Sequence, residues 1–293
     1  MSNKASTWPN GKKIAVSVTV MFEAWTEGKA PSYSVQASAL KSGVADAASQ
    51  AWATYGGRVG VWRLLRLFNN LGIPATFFTS GRCAELFPEA VKQIVSDGHD
   101  LAAHSYAQDV LLTYCSTVDE QRNLIRKSIS SLTDLTGHKV TGWGSPGVAF
   151  TPEANDLLVE AGLKWHTDVT YEDLPFRVHT PHGVIVAVPT TDFSDNRVLK
   201  SNPRDYYDAQ KGTFDYLERS EDQSLLVLVM HAQFGGRPLV TSVIEDVLRY
   251  MAKSPHVWFT RHDALADWAL HSDRDLHSYA DRYFKSRASV AKK

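Results

Sequence analysis

Short apolar runs alternate along the chain with longer stretches in which apolar residues recur every three or four positions. KIAVSVTVMF (13–22) is a β-branched run of strand length, and RVGVWRLLRLFNNLG (58–72) has helical spacing closed by Gly72. IPATFFTS (73–80) is strand-like again, and PEAVKQIVSDG (88–98) begins with proline and stops at glycine, as a helix does. LAAHS follows as a strand. Thr117-Val118-Asp119-Glu120 has the form of a capping box and opens a helix running to about Thr136, with Gly137 behind it.

The same rhythm continues through KVTGW, a helix after Thr151-Pro152 ending at Gly162, LKWHTD and GVIVAVPTT. A helix near 203–219, the strand SLLVLVMHA, the helix TSVIEDVLRYMAKS, VWFTR and a last helix near 262–270 complete it. Strands alternating with helices predict an α/β fold with parallel pairing, and some seven to eight strands predict a (β/α) barrel over about 13–270 in a single domain. The exception is 24–57, which is rich in small residues, weakly periodic and too long for an idle connection. It reads as a loop insertion covering one end of the barrel. Residues 271–293 read as a C-terminal tail with a frayed KSRASVAKK end.

With 293 residues, 43% of them apolar and 22% charged, the chain has the composition of a soluble globular protein. A formal charge of −1 without a block of Lys or Arg gives no electrostatic reason to expect nucleic acid or an anionic membrane as partner. No apolar run approaches the roughly 20 residues of a membrane helix, and MSNKASTWPNGKK lacks the apolar stretch of a secretory signal. Cys83 and Cys115 share no metal-type spacing and read as reduced thiols, so a cytoplasmic location is expected.

In barrels of parallel strands the chemistry sits where the strands end. Here those positions hold Glu23, then Thr79 and Ser80, His104 and Ser105, Trp143 and Ser145, Asp168, then Thr190, Thr191 and Asp192, and finally His231. A partly buried carboxylate following directly on VTVMF would have a raised pKa suited to base work, although most glutamates are surface acids. His104 and His231 follow equivalent strands and would face each other. Asp168 suits a turn cap as well as a ligand contact, and Gln108 suits a loop as well as a pocket wall. Trp25, Trp52 and Trp143 are first of all packing residues, with stacking on a flat ligand the second reading. The other nine histidines share no spacing and read as structural or solvated.

GIPATFFTSGRCAELFPEAVKQIVSDGHDLAAHS resembles the polysaccharide deacetylase (NodB-homology) superfamily, which implies a distorted (β/α) barrel of TIM-like architecture. HAQFGGRPLVTSVIEDVLRYMAKSPHVWFTRHDALADW, with Trp165-His166-Thr167-Asp168 and Tyr171-Glu172-Asp173-Leu174-Pro175, is similar to the allantoinase-like and cyclic-imidase-like branch. That branch implies a cytoplasmic homo-oligomer, a dimer or tetramer, that hydrolyses non-peptide C–N bonds in small cyclic amides. The superfamily's metal set is broken here: Ala24 and Gln108 replace two ligands that the resemblance implies. No cofactor is therefore expected, and a rearranged zinc site would have to use Glu23, His104 and His231.

The resemblance and the strand-end pattern together give an expectation for each residue. Glu23 is the general base, with His104 and His231 assisting. Trp25, Gln108, Trp143, Ser145, Asp168, Asp173 and Arg237 line the substrate. The alternatives are a metal-dependent de-N-acetylase of an acylated sugar or small amide, and a non-catalytic ligand-binding relative.

Overall fold

The computed structural model describes residues 8–41, 43–191, 193–272, 275 and 279–284; Asp192, His277 and the KSRASVAKK tail lie outside them. Nine strands form one sheet: β1 (Ile14–Phe22), β2 (Thr76–Thr79), β3 (Asp100–Ala103), β4 (Gly142–Trp143), β5 (Trp165–His166), β6 (Phe176–Thr180), β7 (Gly183–Ala187), β8 (Ser224–His231) and β9 (Val257–Thr260). Their order is β6-β7-β5-β4-β3-β2-β1-β8, with β9 also on β1.

Every pairing is parallel except the β6–β7 hairpin. Among the described residues no ladder joins β8 to β6, so the barrel is curled and left open. β1 lies along β8 from Ile14 to Met21, beside β9 at its start and beside β2 at its end. Enclosure on both sides is why it is buried almost throughout, its polar residues Ser17 and Thr19 included. It is also why the residue after it, Glu23, is carried into the interior.

The helices are α1 (Ala47–Tyr55), α2 (Val61–Leu71), α3 (Cys83–Leu86), α4 (Pro88–Ser96), α5 (Val118–Thr136), α6 (Ala154–Glu160), α7 (Arg204–Ser220), α8 (Ala232–Gly235), α9 (Pro238–Met251), α10 (His262–His271) and α11 (Tyr279–Tyr283). The capping box is present: the Thr117 hydroxyl accepts from the Glu120 amide, and the Glu120 carboxylate accepts from the Thr117 amide. Gly72 and Gly137 close α2 and α5 with positive φ, 65° and 67°. A side chain at either would be forced into a strained backbone region.

Two elements differ from the sequence reading. The 24–57 stretch is loop only as far as Asp46, which caps α1; α1 then continues through a π-helical turn, Gly56–Gly60, into α2. AASQAWATY has no apolar stripe to announce a helix. β6, FRVHT, presents exposed and half-buried residues and was likewise invisible to periodicity. At the floor of the barrel Trp8 is buried, donates its indole N–H to the Ser224 carbonyl at 2.8 Å and packs on Trp258 and Trp268.

Candidate active site

The mouth of the barrel gathers residues from the ends of β1, β3 and β8. The Glu23 side chain is only 1% exposed, and its Oε1 lies 3.7 Å from Nε2 of His104 and 3.9 Å from Nε2 of His231. Its other oxygen, Oε2, accepts from the Tyr33 hydroxyl at 2.9 Å and from Nε2 of Gln233 at 2.6 Å. One carboxylate oxygen is thus saturated and the other faces two imidazoles.

Each imidazole is oriented from behind. His104 Nδ1 lies 2.7 Å from the Gly144 carbonyl, which can only accept, so the proton sits on Nδ1. His231 Nδ1 lies 2.6 Å from Oδ1 of Asp195, whose Oδ2 accepts from the His231 backbone amide at 2.8 Å. Immediately after His104 the chain reverses at Ser105, whose φ of 56° is left-handed, and the Ser105 hydroxyl donates to the Val110 carbonyl. Strain of this kind persists where the surrounding structure over-determines it. Here the surrounding loop is tied to the end of β1: the Gln108 backbone N–H donates to the Ala24 carbonyl at 2.8 Å, and Thr26 donates its backbone N–H and hydroxyl to Asp109.

The electrostatics are those of a charge-paired site. Burial opposes ionisation of Glu23, but the charge of His231, the neighbouring His104 ring and the hydrogen bond from Gln233 outweigh it and hold the carboxyl below its ordinary value. Burial likewise opposes protonation of His231. Asp195 and Glu23 reverse that and raise the imidazole to about 9. Tyr33, half-buried beside Glu23, is pushed well above the usual phenol value and stays a neutral donor.

The residues that the sequence singled out divide clearly. Glu23, His104 and His231 are brought together. Trp25 is half-buried, meets Tyr33 edge-on and lines a cavity of about 170 Å³ with Glu23, Thr26, Lys29, Gln50 and Phe87. Gln108 points a buried amide oxygen that has no partner among the described residues.

The others have partners within the fold. Trp143 is wholly buried and donates its indole N–H to Ser145 at 3.0 Å, so it offers no face to a ligand. Ser145 donates its amide and hydroxyl to Asp168, both at 2.7 Å. That pair braces the loop whose Gly144 carbonyl orients His104, and it is satisfied internally. Asp173 is exposed at its side chain and pairs with Arg282. Arg237 bonds the carbonyls of Gln233 and Trp52 and lies 3.7 Å over the Tyr55 ring, so it braces α1 against the segment after β8.

Three residues at the site were not singled out by sequence: Asp195, Tyr33 and Gln233. Asp195 lies three residues beyond the strand-end Asp192, and nothing in the spacing distinguishes the two. Tyr33 is an aromatic within a polar loop, which is the one signal that could have flagged it. Gln233 depends on a long-range approach. A Cβ on Gly60 would fall 1.9 Å from the Ala232 carbonyl oxygen, one on Gly56 3.0 Å from the Gln233 amide, and one on Gly236 2.3 Å from the Gly60 Cα. The π turn is therefore pressed directly on α8, fixing where Gln233 projects.

A metal was tested against these donors. Ala24 has no donor atom, and Gln108 replaces an imidazole. In the rearranged trio, Oε1 of Glu23 and Nε2 of both imidazoles face one another, while Oε2 of Glu23 is taken by Tyr33 and Gln233. Among the described residues no three His, Cys, Asp or Glu are grouped to hold a metal ion. The arrangement fits acid–base chemistry, and a metal, if bound, would use Glu23, His104 and His231.

Residues 54–166 match the polysaccharide deacetylase family model. A peptidoglycan deacetylase of Helicobacter pylori is 26% identical over 249 residues, spanning 73% of this chain and 84% of that protein. The crystal structure of PuuE allantoinase superposes with a TM-score of 0.81 at 27% identity, over 92% of this chain and 94% of that one. A probable polysaccharide deacetylase from Pseudomonas aeruginosa does so equally, with TM-score 0.81, 27% identity, and 92% and 95% coverage. The resemblance to the polysaccharide deacetylase superfamily therefore holds in sequence and in fold.

Proposed function

We propose that this chain, taking its kinship to the polysaccharide deacetylases as premise, hydrolyses the C–N bond of a small cyclic amide or imide. Deacetylases and allantoinases alike cleave C–N bonds other than peptide bonds, and hydrolysis of such a bond is the activity assigned here. The observation that carries the reading is the single carboxylate oxygen of Glu23 set between Nε2 of His104 and Nε2 of His231, with Asp195 behind the latter.

The two acceptors, Glu23 Oε1 and the unprotonated Nε2 of His104, are spaced to take both protons of one water. That water attacks the carbonyl carbon and passes a proton to Glu23. As the C–N bond breaks, the His231 imidazolium gives its Nε2 proton to the departing nitrogen. The proton held by Glu23 then returns to His231, and the products are a carboxylic acid and a free N–H. Tyr33 and Gln233 keep the second carboxylate oxygen out of the reaction. A cavity of about 170 Å³ beside Glu23 and Trp25 has room for a small ring.

The test is acid release, followed with a pH indicator, on hydantoins, dihydropyrimidines, cyclic imides and allantoin, with and without chelator. Chelator-resistant ring opening is the expected result. Silence across the panel, or activity abolished by chelator, would overturn the reading. The second reading, removal of an N-acyl group from a sugar, is favoured by the match to the Helicobacter pylori enzyme. Acetate release from N-acetylglucosamine oligomers, with no ring opened, would establish it instead.

A further inference from the structure

Gln233 is 1% exposed, and its orientation is set by chemistry. The amide end that meets Glu23 Oε2 at 2.6 Å must be the nitrogen, because a carboxylate only accepts. The same nitrogen donates to the Tyr33 hydroxyl at 3.0 Å. The oxygen of that amide is left facing away from Glu23 by the width of one amide group. It is buried, and no described residue donates to it. A buried acceptor without a donor is costly, and native proteins retain few of them. Gln108, tied to the same strand end through Ala24, carries a second such oxygen.

We infer that Gln233 is a specificity-determining residue whose Oε1 accepts an N–H of the substrate ring, so that the enzyme takes unsubstituted lactams, imides or ureides and rejects N-alkylated ones. The inference rests on the ring-opening reading and makes it narrower. A donor beside the scissile carbonyl satisfies Oε1 while Nε2 goes on holding Glu23, so one side chain both positions the base and reads the substrate. An N-methyl ring offers no donor and leaves the oxygen unpaired in a dry site. The penalty for an unpaired buried group corresponds to about tenfold or more in binding.

The experiment compares succinimide with N-methylsuccinimide, and hydantoin with its N-methyl derivatives, by titration calorimetry and by acid release, on the wild type, Gln233→Met and Gln233→Glu. Methionine keeps the bulk and removes both polar atoms, whereas glutamate keeps an acceptor and loses the donor. The wild type should favour the N–H ring by about tenfold or more, Gln233→Met should bring the pair to within about threefold, and Gln233→Glu should keep the preference at reduced kcat.

Equal treatment of the two rings by the wild type, a preference that survives in Gln233→Met, or no binding of either ring would each overturn the inference. Should a variant fail to fold, the wild-type ratio still decides. Rings bound with N–H preference but never opened would leave this inference standing and remove the ring-opening reading. Rings opened with no such preference would do the reverse.

Discussion

His231 at the mouth of the barrel and His262 at its floor are both buried, and both have Nδ1 engaged. The partner of His231 is the Asp195 carboxylate, with Glu23 on the far side; the partner of His262 is the Ser17 hydroxyl, at 2.9 Å. The mouth histidine is raised to about 9, while burial pushes the floor histidine down to about 3. Burial acts in the same direction on both, so the carboxylates decide the outcome. Ser17 and Glu23 belong to one stretch of chain, β1 and the residue after it. The strand begins among groups built to hold an uncharged imidazole and ends among groups built to hold opposite charges.

The comparison breaks most severely at Glu23. Glu23→Gln removes the base but keeps the shape and the hydrogen-bonding oxygen, so turnover should fall by about 10³-fold with the melting temperature nearly unchanged. Near-normal kcat in that variant would remove Glu23 from the chemistry. In the parent enzyme the acid limb of the rate profile should lie below the ordinary carboxylate value, and the alkaline limb, where His231 loses its proton, near 9.

Asp195→Asn takes away the main charge behind His231. It should lower kcat about 10²-fold and move the alkaline limb down in pH, which a full pH–rate profile reads directly; an unmoved limb would mean that His231 is not the acid. Stability shares that sign. A histidine raised in the folded state stabilises fully below its unfolded value and loses that contribution as pH climbs through about 9.

His262 behaves oppositely. Because it is neutral when folded and protonates more readily when unfolded, its contribution is lost as pH falls from about 6.5 toward 3. Urea midpoints across that range should show wild type losing up to about 1.4 kcal/mol per pH unit more than His262→Asn. Parallel curves would contradict the assignment. The smallest effect is expected at Asp173: Asp173→Ala removes an exposed ion pair with Arg282, so stability should change by no more than about 0.5 kcal/mol and turnover by less than about twofold. A large loss of kcat would return Asp173 to the site.

Much of the fold was legible because its signals are local. The β-branched run of β1, the capping box at Thr117 and the glycine stops at Gly72 and Gly137 each announce an element within a few residues of themselves. The strand-end positions Glu23, His104 and His231 were readable for the same reason, since parallel strands deliver their last residues to one end. What stayed hidden depends on distance. Asp195 is selected by its approach to His231, Tyr33 by the path of an irregular loop, and Gln233 by contact with the π turn. Trp143 misled because its position at a strand end says nothing about which face of the strand it occupies.

The glycine turn pressed on α8 has a consequence for how this protein can change. Gly56–Gly60 and Ala232–Gly236 touch backbone to backbone, with no side chain between them to absorb a substitution. A side chain introduced at Gly60 or Gly236 therefore has to push the two backbones apart, and with them the Gln233 that holds Glu23. The two segments are one unit written in two places, and a change in either is felt at the carboxylate.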